Sequence, residues 1–141
     1  MNRLAGVLLN LSCTQVSSGN WDNGYDIWFN SDPNPLTNQT GSYLELMVWL
    51  SDHNAPPTLA PVASNVPIGG RTYNIYMSGT EAIYQLTAAV SSVTNRDLGP
   101  IVYDALNTRH YVQSNWYLID IEAGFEIWQG GNGLRVNSFS G

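Results

Sequence analysis

The chain has 141 residues, a net charge of −6 and only 11% charged residues, and it contains no lysine. Its five arginines are scattered along the chain, which excludes a nucleic-acid partner bound through a phosphate footprint. No apolar run reaches the roughly 18 residues that a transmembrane helix needs, so no membrane span is expected. A chain of this length predicts a single domain, residues 1–141.

The first predicted element is a strand at residues 4–16, which are apolar and partly alternating. The same stretch imitates a leader, with Arg3, an apolar run and then Cys13, but the run is short and no small-x-small cleavage site follows it. The strand interpretation, with Cys13 as a small buried hydrophobe, is therefore favoured, and no convincing signal peptide is recognised. Cys13 is the only cysteine, which excludes an intrachain disulfide.

Alternating or aromatic-rich segments predict further strands at residues 25–29, 43–51, 71–78, 81–90, 115–129 and 134–140, the fifth of these being one long strand or two. A Pro-rich loop at residues 52–70 is long enough to favour a functional role. Apolar residues at i, i+3, i+4 spacing predict one helix near residues 98–108, packed on the convex side. This pattern predicts an all-β fold, a jelly-roll β-sandwich with one short α-helix.

Three of the predicted strands carry an acid next to an aromatic or thioether side chain on the face opposite their apolar residues. The members of this second face are Asp26 and Trp28 in the first of these strands, Glu45, Met47 and Trp49 in the second, and Glu126 and Trp128 in the third. For any one strand, ordinary exposure to solvent is the better explanation. The same pattern in three strands favours a groove in which aromatic rings stack on sugars and two carboxylates perform glycoside hydrolysis.

The segments "YDIWF", "ELMVWL", "PIGG" and "GFEIWQGGNGL" occur in an order that resembles glycoside hydrolase family 12, the small endoglucanases with a β-jelly-roll fold. The resemblance runs from about residue 21 to residue 141. It implies endo-acting hydrolysis of internal β-1,4 bonds in cellulose or related β-glucans, with retention of configuration and with no metal or other cofactor. It also implies an extracellular protein whose partner is a β-glucan polysaccharide.

By this resemblance Glu45 is the nucleophile and Glu126 is the acid/base. Asp26 and Met47 are expected to support the nucleophile, and Asp26 to form a hydrogen bond with it. Substrate contacts are expected from Trp28, Trp49, Trp128, Pro67 and Gly69. A general acid needs a raised pKa, which the apolar neighbours of Glu126 favour, whereas Glu45 is expected to stay ionised for attack.

Members of this family are longer and begin with several strands for which this sequence shows no counterpart. The resemblance therefore predicts a sandwich that is truncated at its N-terminal side, with weakened activity and open strand edges through which a homo-oligomer could form. Two alternatives remain open at this point: a non-catalytic β-glucan-binding module, and a remnant that folds only with a partner chain.

Other chemistries have little support in the sequence. His53 and His110 lack neighbouring cysteines or acids at metal-ligand spacing, so a metal site is not expected. No G-x-S-x-G motif accompanies a serine nucleophile, and "GGNG" has neither the lysine nor the helix of a phosphate loop.

Overall fold

The computed structural model describes residues 6–141 and places nine strands and one short helix in that range. The strands are β1 (Leu8–Thr14), β2 (Asn20–Asn30), β3 (Tyr43–His53), β4 (Ala63–Ile68), β5 (Arg71–Ser78), β6 (Glu81–Leu86), β7 (Ser92–Asp97), β8 (Tyr117–Gln129) and β9 (Arg135–Ser140). Helix α1 (Gly99–Tyr103) continues into one π-helical turn at Asp104–Thr108. No helix within the described range is long and apolar enough to cross a membrane.

The strands form two sheets that pack face to face. The larger sheet has six strands in the order β4-β5-β6-β3-β2-β8, and the smaller has three in the order β7-β1-β9. Neighbouring strands are antiparallel except β3 and β6, which are parallel. The predicted all-β sandwich with a single short helix is confirmed.

The core lies between the two sheets and follows from the alternation of β3. Leu44, Leu46, Val48 and Leu50 are all buried on one face of this strand and pack with apolar residues of β1 and of the helix. The helix thus lies on the core side of the six-stranded sheet, away from Glu45. Its buried Asp104 accepts hydrogen bonds from Tyr84 of β6 and from Arg109, both at 2.8 Å. These bonds fix the end of the helix against the sheet.

Two strands differ from the sequence prediction. Residues 63–68 of the predicted loop form β4, which is held by pairing with β5 at the edge of the sheet although its own residues are mostly exposed. Strand β7 was missed because it is largely polar; it pairs with β1 at the edge of the smaller sheet and buries mainly Val93 and Arg96. The strand predicted at residues 81–90 ends earlier, at Leu86.

Strand β2 begins at Asn20, five residues before the strand predicted at residues 25–29, and the other strands lie within a few residues of the prediction. Residues 115–129 give one long strand, β8, instead of two. The predicted first strand is present as β1 with Cys13 buried, while Arg3 and residues 4–5 of that stretch lie outside the described range.

Candidate active site

Strands β3, β2 and β8 are consecutive neighbours in the larger sheet, and this order brings the predicted carboxylates together. Asp26 on β2 lies opposite Met47 of β3, and Trp28 lies opposite Glu45. Because side chains alternate along each strand, all these residues project from the face away from the core. One carboxylate oxygen from each of Asp26, Glu45 and Glu126 lies within 4.8 Å of the others.

Three more acids surround this group and were missed by the sequence analysis. Asp22 lies opposite Glu126, Glu122 lies opposite Asp26, and Glu81 of β6 lies beside Glu45 across the parallel pair. A longer alternation could have revealed the first two, since they lie four residues before Asp26 and Glu126 on the same faces. The pairing of β6 with β3 joins distant parts of the chain and leaves no local signal.

The crowding of acids shapes the charge of the proposed nucleophile. Burial, followed by the negative charges of Asp26 and Glu81, raises the pKa of Glu45 to about 7. Burial and the charges of Glu126 and Glu122 likewise raise the pKa of Asp26 to about 7. The expectation that Glu45 stays fully ionised at neutral pH is therefore corrected, because it took no account of the neighbouring acids.

The proposed acid/base has a raised pKa, in the expected direction. Burial is the largest cause and the charge of Glu81 adds to it, whereas the neighbouring Asp22 side chain lowers the pKa of Glu126. Burial and the charge of Glu81 both disfavour release of the proton from Glu126, which suits a general acid.

A pocket of about 510 Å³ adjoins the acids and is lined by Glu81, Glu126 and several apolar side chains. Its floor includes Met47 and Trp49, which are buried in a small cluster with Tyr76 and Ile83 on the groove side of the sheet. Trp128, 57% exposed, lines the same pocket and offers its ring to a ligand. Part of the wall is residues 54–58, within the loop for which the sequence analysis favoured a functional role.

The structure separates Trp28 from the other two tryptophans. Its side chain is only 7% exposed, and its indole N–H donates a hydrogen bond to Glu122 at 3.0 Å. It tilts against Tyr43 and is not among the residues that line this pocket. Trp28 therefore shapes the site by holding Glu122 and does not present an open face for stacking on a sugar.

The structure does not bring Pro67 and Gly69 to the carboxylates. Both belong to the β4–β5 hairpin at the far edge of the larger sheet. Gly69 has a φ of 56° and a Cβ placed there would meet Pro100 of the helix at 3.2 Å, on the core side. The predicted substrate contacts of these two residues gain no support from this position.

Carboxylate oxygens at such spacing suit hard cations in general. A pair of acids for glycoside hydrolysis needs the same spacing and no metal. The spacing of Asp26, Glu45 and Glu126 is therefore compatible with a catalytic pair of acids.

Comparison with known proteins agrees with this geometry. A probable cellulase, Cel12b, of Mycobacterium tuberculosis is 30% identical over 129 residues, which cover 88% of this chain and 82% of that protein. A metagenome-derived glycoside hydrolase family 12 endoglucanase is 36% identical with a TM-score of 0.84, covering 94% of this chain and 58% of its own. Endoglucanase cel12A from Rhodothermus marinus is 32% identical with a TM-score of 0.84, covering 94% of this chain and 59% of its own.

The fold is thus that of the β-sandwich glycoside hydrolases. The sequence model of glycosyl hydrolase family 12 matches residues 10–141, and the chain belongs to that family. It spans less than two thirds of the length of the two solved endoglucanase structures named above.

Proposed function

We propose that the chain hydrolyses internal β-1,4-glucosidic bonds of cellulose or related β-glucans with retention of configuration. The observation that carries this proposal is the approach of the Glu45 and Glu126 carboxylate oxygens to within 4.8 Å on one face of the larger sheet. The names of the similar proteins, a cellulase and endoglucanases, support the substrate class.

The separation of the two carboxylates favours retention over inversion. Retaining enzymes hold their carboxyl groups about 5–5.5 Å apart, whereas inverting enzymes need roughly 6.5–9.5 Å to admit a water molecule between the general base and the sugar. A nearest approach within 4.8 Å fits the shorter class.

In the first step Glu126 gives its proton to the leaving glycosidic oxygen while ionised Glu45 attacks the anomeric carbon, forming a covalent glycosyl-enzyme. In the second step Glu126, now ionised, takes a proton from a water molecule whose oxygen attacks the anomeric carbon, and the bond between that carbon and Glu45 breaks to release the sugar. Asp26 lies close enough to act on Glu45. Its raised pKa favours the protonated form, which donates a hydrogen bond to the ionised nucleophile.

The larger pocket supplies the binding surface for the glucan. The exposed ring of Trp128 is available to stack on a sugar, while the loop at residues 54–58 forms a wall beside it. Such a polymer cannot enter a cell, so we also expect the protein to act outside it.

The test is hydrolysis of carboxymethylcellulose and mixed-linkage β-glucan, with Glu45→Gln as the control. Proton NMR of the first product should show the β-anomer before mutarotation sets in. Release of the α-anomer first would overturn the retaining mechanism. Quenching of tryptophan fluorescence by cellooligosaccharides without any hydrolysis would instead identify a non-catalytic binding module.

A further inference from the structure

Asp22 occupies an unusual position for an acid. Asp22 is only 3% exposed. It lies on β2, in the interior of the larger sheet, and directly opposite Glu126 of β8. Both side chains line a second, smaller pocket of about 150 Å³ together with Asp26 and Glu122. The described mechanism assigns no role to Asp22.

Among residues 6–141, no positive charge forms a salt bridge with this buried carboxyl. Its Oδ2 atom has no hydrogen-bond partner among residues 6–141, and the one salt bridge in that range joins Arg109 to Asp104. The groups that face it are the acids Glu126, Asp26 and Asp52, from three different strands. Isolated negative charge at such a place is costly, and a proton removes that cost.

Burial first, and then the charges of Glu126, Asp26 and Asp52, raise the pKa of Asp22 to about 8, and the backbone N–H of Glu126 offsets only part of this. The group is thus protonated at neutral pH. A protonated carboxyl is a hydrogen-bond donor, whereas an ionised one only accepts.

We propose that Asp22 is a positioning residue for the acid/base, with its buried, protonated carboxyl donating a hydrogen bond to the Glu126 carboxylate. This inference rests on the proposed function, because it gives Glu126 the role of acid/base. The bond forms when Glu126 has released its proton to the leaving group and must wait, ionised, to activate water. Asp22 keeps its own proton throughout.

The consequence is a balance in the proton affinity of Glu126. Burial and Glu81 favour its protonated form, while the Asp22 bond favours its ionised form. Glu45 and Asp26, whose oxygens approach Glu126 within 4.8 Å, add negative charge on the other side. A group that must act first as an acid and then as a base works best when neither form dominates.

The experiment compares Asp22→Asn, which keeps an uncharged donor, with Asp22→Ala, which removes it. The pKa of Glu126 is measured by carbon-13 NMR on protein with labelled glutamate carboxyls, its signal being identified by its loss in Glu126→Gln. In parallel, the pH dependence of kcat/KM on β-glucan is measured, because the midpoint of its alkaline limb reports the pKa of the same group. Asp52→Asn is the matched control, since Asp52 also faces Asp22 but bonds Gln85 at 2.8 Å.

We expect Asp22→Ala to raise the pKa of Glu126 and the alkaline limb together by about one pH unit, the size expected for one charge-assisted hydrogen bond. In Asp22→Asn and Asp52→Asn, the pKa of Glu126 and the alkaline limb should each stay within about 0.3 unit of the values for the unmodified chain, because a hydrogen-bond donor remains at position 22. An unmoved Glu126 titration in folded Asp22→Ala overturns the proposal.

If Asp22→Ala does not fold, Asp22→Asn decides the question. Near-normal turnover supports a donor role, whereas a loss of more than about tenfold in kcat/KM at an unchanged Tm overturns it, because the amide preserves the donor. If the unmodified chain hydrolyses no glucan while the NMR shift in Asp22→Ala is still observed, the proposed function fails and the Asp22–Glu126 bond stands.

Discussion

At the scale of single residues, the groove places six carboxyl groups from four strands on one surface. They are Asp22, Asp26, Glu45, Glu81, Glu122 and Glu126. Glu81 raises the pKa of both Glu45 and Glu126, so a charge from β6 acts on both members of the proposed catalytic pair. The joint action of Glu45 and Glu126 therefore depends on which of the six carboxyl groups are protonated.

Substitution of the two proposed catalytic acids should have different consequences. Glu45→Gln should abolish hydrolysis of every substrate, because no glycosyl-enzyme can form. Glu126→Gln should lose roughly 10²–10⁴-fold on β-glucan but much less on an aryl glycoside whose leaving group needs no proton, and azide should restore turnover of that substrate. Reducing-sugar and chromogenic assays measure both.

The control for this pair is Asp32→Asn, an exposed acid of the β2–β3 loop whose carboxylate accepts a hydrogen bond from the backbone N–H of Asn34. It should hydrolyse both substrates at the unmodified rate. Equal loss on both substrates in Glu126→Gln, without azide rescue, would contradict the assignment of Glu126.

The same acids predict how the stability of the fold depends on pH. Folding raises the pKa of Glu45 and Asp26 to about 7 and that of Asp22 to about 8, above their ordinary values near 4. The folded state then binds more protons than the unfolded state between about pH 4 and 8, so the free energy of unfolding falls as pH rises through that window.

We expect Tm to be lower at pH 8 than at pH 5 by about 5 °C or more, since 1 kcal/mol moves Tm by roughly 2–4 °C for a domain of about 150 residues. Calorimetry at both pH values measures this difference. Asp22→Asn should reduce it, because the variant lacks the most strongly shifted of the three carboxyls. A Tm that rises from pH 5 to pH 8 would show that these acids do not gain protons on folding.

Sequence alone identified the three residues at the centre of the groove because each lies in a strand with clear alternation. The resemblance added their roles, which remain proposals. The sequence could not reveal that the indole N–H of Trp28 bonds Glu122, since that contact crosses from β2 to β8. Nor could it show that Asp22 is buried, because exposure depends on the strands that lie on either side.

At the scale of elements, β2 carries the site because it lies between β3 and β8. A register shift in its pairing with β3 occurs between Asn23 and Gly24, two residues before Asp26. A Cβ on Gly24 would collide with the carbonyl oxygen of Val48 and approach its carbonyl carbon at 2.9 Å. Glycine therefore permits the close approach of the two backbones that sets Asp26 opposite Met47 and Trp28 opposite Glu45.

Gly24→Ala should destabilise the chain by about 1–3 kcal/mol or more, because backbone atoms of β3 would have to move. Gly124→Ala is a matched control: Gly124 pairs directly with Gly24 across β2 and β8, and its Cβ would meet only a Val136 methyl group at 3.9 Å. Its stability should change little or rise slightly. Urea unfolding compares the two variants, and similar losses in both would contradict the role given to Gly24.

Whether the sequence predicted a strand depended on the pattern of residues within that strand. Strand β3 was predicted because every second residue is aliphatic and buried. Strands β4 and β7 lie at sheet edges. Strand β4 contains Pro67 and β7 is largely polar, so the extended form of both comes from pairing with β5 and β1 and not from their own sequences. Asn95 of β7 even adopts a left-handed φ of 49°, which no strand pattern predicts.

At the scale of the whole molecule, β8 and β9 form the ends of the two sheets on the same side of the sandwich. Strand β8 has no partner beyond β2 within the described residues, and β9 has none beyond β1. Both expose apolar side chains along these edges, among them Ile127 and Phe139. Unpaired edges with apolar side chains favour pairing with another chain.

We therefore predict that this 141-residue chain, prepared by itself, associates in a concentration-dependent manner through the β8 and β9 edges. Val136→Lys, at a site on β9 that is 38% exposed, should shift the population toward monomer, because a lysine on an edge strand opposes pairing with a second strand. Leu36→Lys makes the same change of charge at a residue of the β2–β3 loop that is 93% exposed and belongs to no strand, so it should leave association unchanged. Light scattering after size-exclusion chromatography measures the mass of each variant over a range of concentrations. A monomer at every concentration, or an equal effect of the two lysines, would show that these edges do not mediate self-association.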